Sequence, residues 1–136
     1  MAEFEGGCLC GAVRFICEGE PLGQVACHCR DCQHLAGGGA AHGLVLPTDL
    51  VQMTQGAPVA YAKLSDAGNR VTRFFCQSCG TQLFLRSAAH PEQIRVNAGA
   101  LDDPSIYRPE DHAWVASAPL WHAREDSFAR LFRGAA

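Results

Sequence analysis

The chain has little lysine. Lys63 is the single lysine among eleven basic side chains, the other ten are arginine, and the formal net charge is −3. No stretch is rich in Lys and Arg, so no broad basic face is expected for nucleic acid or an anionic membrane. No apolar run approaches the roughly 20 residues of a membrane span. The opening Met-Ala-Glu-Phe-Glu-Gly-Gly has neither a basic nor an apolar segment of a secretory signal, so the expected compartment is the reducing cytoplasm. Internal repeats, low-complexity tracts and linkers are absent too, and 136 residues predict one domain, 1–136, able to bury its own core.

Against these absences stand eight cysteines. In a cytosolic chain that number points to metal rather than disulfides. The densest group is Cys27-His28-Cys29-Arg30-Asp31-Cys32, a C-x-C-x-x-C spacing. A disulfide between Cys27 and Cys29 would close a strained ring, whereas three thiolates at this spacing can converge on one ion. They are one short of the four that close a structural zinc site. A second group is Cys8-Leu9-Cys10-Gly11, and a third is Cys76-Gln77-Ser78-Cys79-Gly80. Cys17 fits no metal spacing and reads as a small buried hydrophobe.

The intervening segments read as strands. Val13, Phe15 and Cys17 alternate with Arg14, Ile16 and Glu18. Residues 40–46, 59–64, 70–75, 81–86 and 94–99 are β-rich, with turns at Pro47-Thr48-Asp49, Gly56-Ala57-Pro58 and residues 65–69. One turn of helix is expected from Asp31 to Ala36, ended by Gly37-Gly38-Gly39, which is either a plain loop or a place of close approach. A second short helix is expected at Phe128–Phe132. The predicted class is mainly β: antiparallel sheets built around a zinc ribbon, with little helix.

The two cysteine pairs, Cys8/Cys10 and Cys76/Cys79, make four ligands and close one tetrahedral zinc site between the N-terminal and C-terminal strands. The triplet Cys27/Cys29/Cys32 then holds a second ion, for two zinc ions per chain. Its fourth ligand is water, a substrate thiolate or a histidine, with His28, His34 and His42 the nearby candidates. Zinc with three thiolates carries a net −1, which weakens it as a Lewis acid and disfavours a hydrolytic role. An incoming thiol suits the soft site better: held as thiolate, it can attack a carbonyl carbon.

The order Gly7-Cys8-x-Cys10-Gly11, Cys27-His28-Cys29-x-x-Cys32, then Phe75-Cys76-x-x-Cys79-Gly80-x-x-Leu83 resembles the glutathione-dependent formaldehyde-activating enzyme family, which also includes centromere protein V. The resemblance runs from about Phe4 to about Trp121. It takes in His112-Ala113-Trp114-Val115-Ala116-Ser117-Ala118-Pro119-Leu120-Trp121, which is similar to the family's C-terminal stretch apart from the Leu between Pro and Trp. It implies structural zinc at Cys8, Cys10, Cys76 and Cys79 and catalytic zinc at Cys27, Cys29 and Cys32. The implied activity is a carbon–sulfur lyase reaction in reverse, joining glutathione to formaldehyde to give S-hydroxymethylglutathione. Arg30, Arg70 and Arg73 are candidates to receive the carboxylates of glutathione. No general base stands beside the triplet in sequence.

Two other functions compete. A non-catalytic zinc-ribbon module would bind a protein partner, since the charge disfavours nucleic acid. A thiol redox protein would use Cys29 and Cys32 as a C-x-x-C pair, but the βαβ context of such motifs is missing.

Overall fold

A computed structural model describes residues 3–122. Ten strands occur in it: β1 (Glu3–Gly7), β2 (Arg14–Glu18), β3 (Gly23–Cys27), β4 (Ala41–Pro47), β5 (Val51–Gln55), β6 (Val59–Leu64), β7 (Arg70–Phe75), β8 (Gln82–Ser87), β9 (Gln93–Asn97) and β10 (Asp111–Ala113). One α-helix, α1 (Arg30–Ala36), interrupts them, with short 3-10 turns elsewhere. The mainly β expectation holds. The helix begins one residue earlier than the sequence suggests, because the Cys29 side chain caps it by accepting from the Cys32 backbone N–H at 3.3 Å. The segment 128–132, expected to be helical, lies outside the described residues.

The strands form two sheets, of order β1-β2-β5 and β10-β3-β4-β9-β8-β7-β6. All pairings are antiparallel except that of β10 with β3. The two faces of the larger sheet differ. In register across it run Phe74, Phe84, Val96 and Leu44. This apolar row meets the smaller sheet, where Phe15 contacts Phe84 edge to face at 4.9 Å. Phe15 is fully buried, and truncating it to alanine should cost about 3–5 kcal/mol. Cys17 lies in the same core, and burial pushes its thiol up to about 12, as befits an inert apolar filler.

One residue along, the opposite face carries Arg73, Leu85 and Arg95, also in register. Because side chains alternate along a strand, the pattern that sends Phe74, Phe84 and Val96 to the core sends these three to the other side. Gly43 on β4 leaves room for one of them: a Cβ there would stand 2.4 Å from Cγ of Arg95. The arginine stem therefore lies flat across the sheet.

Candidate metal and substrate site

Four sulfurs meet between the two sheets. Cys8 and Cys10 follow β1, while Cys76 and Cys79 sit in the β7–β8 turn. Each pair occupies a tight turn: the Gly11 N–H donates to the Cys8 carbonyl at 3.1 Å, and the Gly80 N–H to the Cys76 carbonyl at 2.8 Å. Gly80 has φ 79°, a conformation glycine adopts without strain. The Sγ atoms of Cys8 and Cys10 are 3.6 Å apart, and those of Cys10 and Cys76 are 3.8 Å apart. Four thiolates placed tetrahedrally at a zinc–sulfur length of about 2.3 Å stand about 3.8 Å from one another. The donor set and its dimensions thus fit a closed thiolate metal site. The Thr81 hydroxyl lies 3.2 Å from Cys79 Sγ, and this hydrogen bond leads the interactions that bring the Cys79 thiol down to about 5.

The second group gathers Cys27 at the end of β3 with Cys29 and Cys32 at the start of α1. Their sulfurs lie within 4.8 Å of one another. Among the described residues no fourth His, Cys, Asp or Glu ligand atom joins them. The histidines proposed from sequence go elsewhere. His34 is exposed on α1, His42 Nδ1 is 3.0 Å from the Tyr107 hydroxyl, and buried His28 has Nε2 3.1 Å from His112 Nδ1. Gln33 ties this region together, its side-chain amide donating to the carbonyls of His28 and Ser117 at 2.9 Å each.

The triplet stands over the arginine row. Arg73 Nη2 is 3.9 Å and Arg95 Nη2 4.0 Å from Cys32 Sγ. The hydrogen bond from Cys27, reinforced by the charge of Arg95 and the approach of Arg73, brings the Cys32 thiol down to about 4. Cys27 is pushed up, first by that same hydrogen bond to Cys32 and then by burial. Arg73 is only 7% exposed, and neither arginine forms a direct ion pair with a carboxylate among the described residues. Asp31 and Asp66 nonetheless share the smaller of two adjoining cavities with them, and the Lys63 hydrogen bond, helped by the charge of Arg73, lowers the Asp31 carboxyl. The candidates Arg30 and Arg70 lie outside this arrangement: Arg30 donates to Gln33 at 2.5 Å, and Arg70 opens β7 exposed. Arg95 was not singled out from the sequence. Its signal was its place between inward-facing Ile94 and Val96, which sends it to the opposite face.

Two cavities flank the row, and Cys32, Arg73, Leu85 and Arg95 line both. The larger, about 340 Å³, reaches His42, Asn97 and Thr81. The smaller, about 160 Å³, holds Cys27 and Cys29 and is walled by Val71, Leu85 and Trp114, with Asp31, Ser65 and Asp66 also on its lining. Trp114 comes from the segment after β10. Its placement explains part of the glycine triplet: a Cβ on Gly38 would be 3.3 Å from the Trp121 ring, and one on Gly39 3.1 Å from His122. The glycines allow the C-terminal segment to close over the loop after α1.

The family model described as "Glutathione-dependent formaldehyde-activating enzyme" matches residues 3–117. A curated protein of Halomonas elongata, named "Putative glutathione-dependent formaldehyde-activating enzyme", is 29% identical over 123 residues, spanning 86% of this chain and 78% of its own. A crystal structure of a Rhodobacter sphaeroides protein superposes with a TM-score of 0.61 at 21% identity, covering 80% of this chain and 99% of that one, which shows a shared fold. With both cysteine clusters assembled and the match running through the strands that build them, the chain belongs to the glutathione-dependent formaldehyde-activating enzyme family.

Proposed function

We propose that the protein is a zinc-dependent carbon–sulfur lyase-type enzyme that joins a small thiol to formaldehyde, with glutathione, the thiol of the family name, as the first candidate. Cys27, Cys29 and Cys32 are the catalytic metal ligands, and Cys8, Cys10, Cys76 and Cys79 hold a structural zinc. The supporting observation is a three-sulfur group that, among the described residues, gathers no fourth protein ligand and stands between two cavities beside two arginines without a direct ion pair.

A zinc ion bound by the triplet would favour the deprotonated form of an incoming thiol at neutral pH. The chain's own residues supply the rest. A divalent ion with three thiolates carries −1, and Arg73 with Arg95 adds +2. On the side of the larger cavity, whose described lining has both arginines and no carboxylate, that positive charge suits an anionic thiol, whose carboxylate a guanidinium can hold by two parallel hydrogen bonds. The larger cavity takes the body of the thiol, with His42 and Asn97 as polar contacts. The thiol gives its proton to solvent and its sulfur attacks the aldehyde carbon. The carbon–sulfur bond forms as the carbonyl π pair moves to oxygen, which takes a proton from water to give the hydroxymethyl thioether. The reverse sequence releases aldehyde and thiol. The burial of Arg73 reduces solvent screening and strengthens its attraction for an anion.

The test measures zinc per chain and the rate of exchange between glutathione, formaldehyde and their adduct, in the parent, Cys27→Ser and Cys8→Ser. The parent should carry two zinc ions. Cys27→Ser should lose one of them together with turnover. Unchanged zinc and unchanged turnover in Cys27→Ser would sink the proposal.

A further inference from the structure

Among the described residues, Trp114 is the one non-glycine with a positive φ, at φ 56°, ψ 39°. A bulky aromatic residue rarely sits in this left-handed region. Such a conformation persists only where neighbouring structure over-determines it. Four contacts do so here. Ala113 pairs in register with Cys27 in the parallel β10–β3 ladder. The His28 N–H donates to the Ala113 carbonyl at 2.9 Å, and the Ser117 N–H to the Trp114 carbonyl at 3.0 Å. Gln33 grips the Ser117 carbonyl from α1. The backbone on both sides of Trp114 is thus fastened to the segment that carries the cysteine triplet.

The fastening does not bury the indole in the core. Trp114 remains 49% exposed, yet it lines the smaller cavity opposite Val71 and Leu85. A strained backbone that gains little burial has its effect at the cavity. The cavity is also larger than formaldehyde needs. Of about 160 Å³, a metal ion and one sulfur would displace roughly two water volumes, and the remainder is about three more. Formaldehyde has only two heavy atoms. Val71, Leu85 and the Trp114 indole give that space an apolar side, across from the polar rim of Asp31, Ser65, Asp66 and the two arginines.

Resting on the function proposed above, we infer that Trp114 is the specificity wall for the carbonyl partner, and that the chamber accepts short-chain aliphatic aldehydes as well as formaldehyde. The chemistry is unchanged for a substituted aldehyde. The thiol sulfur bonds to the carbonyl carbon, the π pair goes to oxygen, and oxygen takes the proton lost by the thiol. The short alkyl tail lies between Val71, Leu85 and the indole. A branched tail meets the ring.

Exchange rates are measured with glutathione and formaldehyde, propanal or 2-methylpropanal, in the parent, Trp114→Ala and Trp114→Gly. The parent should handle propanal within about tenfold of formaldehyde and discriminate against 2-methylpropanal. Both variants should raise the 2-methylpropanal to propanal ratio at least tenfold. A ratio unchanged in both, with formaldehyde still turned over, overturns the role of Trp114 alone. Loss of exchange with every aldehyde in the parent overturns the enzyme proposal and this inference with it. Two readouts do not depend on turnover. Trp114→Gly should melt at or above the parent, since glycine relaxes the left-handed backbone, and a marked fall would make Trp114 a packing residue instead. With Trp121→Phe leaving Trp114 the single indole, its emission should shift when propanal and glutathione are added. A constant spectrum contradicts contact with the ligand.

Discussion

The molecule holds two thiol clusters of the same element and nearly the same compactness, placed in opposite surroundings. The four-sulfur group joins turns from the two sheets, and its outer contacts are backbone amides and the Thr81 hydroxyl. The three-sulfur group belongs to one continuous segment, from β3 into α1, and faces two guanidinium groups and two cavities. Ligand type alone does not separate a scaffold site from a reactive one. Ligand count, the sequence distance bridged and the charge of the surrounding groups do.

The largest expected contrast comes from breaking each cluster in turn. Cys76→Ser should remove the ion that ties residues 8–10 to residues 76–79, and with it much of the 5–15 kcal/mol typical of a domain. The cooperative thermal transition should be lost or strongly lowered. Cys27→Ser should melt within about 5 °C of the parent, because its cluster spans few residues. Differential scanning calorimetry with a zinc assay reads both, and equal destabilisation would erase the distinction.

Metal removal gives the next largest effect. A limiting chelator should extract one zinc equivalent first, abolishing turnover while the circular dichroism spectrum stays unchanged. Simultaneous loss of both ions and of the spectrum would show the clusters to be alike.

Arg73→Met sharpens the electrostatic half of the comparison. A charge-assisted hydrogen bond contributes about 1.5–3 kcal/mol, so KM for glutathione should rise roughly 10- to 100-fold. Arg70→Met, at the exposed start of β7, should leave it unchanged. A thiol without carboxylates, such as 2-mercaptoethanol, should respond far less to Arg73→Met. Equal effects on both thiols would make the arginine purely structural.

The smallest effect belongs to the smaller sheet. Arg14 donates to both Asp102 oxygens, at 2.8 and 2.5 Å. This bidentate hydrogen bond holds the Asp102 carboxyl below its ordinary range. A carboxyl lowered in the folded state stabilises above its unfolded value near about 3.9 and loses that contribution as pH falls through the folded value. Asp102→Asn should therefore flatten the acid limb of the stability curve slightly and leave neutral-pH stability nearly unchanged, since exposed pairs are screened. A large loss at neutral pH would contradict this.

The legible parts of the fold were those whose cause is local. Alternation marked β2 and β6, β-rich composition marked β7, and the knuckle spacings marked both clusters. Less local elements left no such trace. Strand β10 is only Asp111-His112-Ala113, a sequence with no strand tendency, and it is a strand because β3 offers it hydrogen bonds. Strand β3 contains Gly23 and Gln24, so its composition looked like a connection. Arg73 was named among three candidate arginines for its side-chain type, but nothing local distinguished it from Arg30 and Arg70. Its partner Arg95 was missed, because the row Arg73–Leu85–Arg95 exists only once three strands lie in register. Trp114 stood within a visible motif, but its wall position depends on a backbone angle that spacing does not encode.

The pairing of β10 with β3 also orders events during synthesis. The scaffold cluster has all its ligands once Cys79 leaves the ribosome. Ala113, which lies beside Cys27, follows on the order of seconds later at ordinary elongation rates. A nascent chain thus passes through an interval in which its frame can already be clamped by metal while the triplet has no cover. On the function proposed above, a polypeptide cut short after β9 would carry its core strands and all seven clustered cysteines yet leave the triplet without the β10 segment that lies beside it.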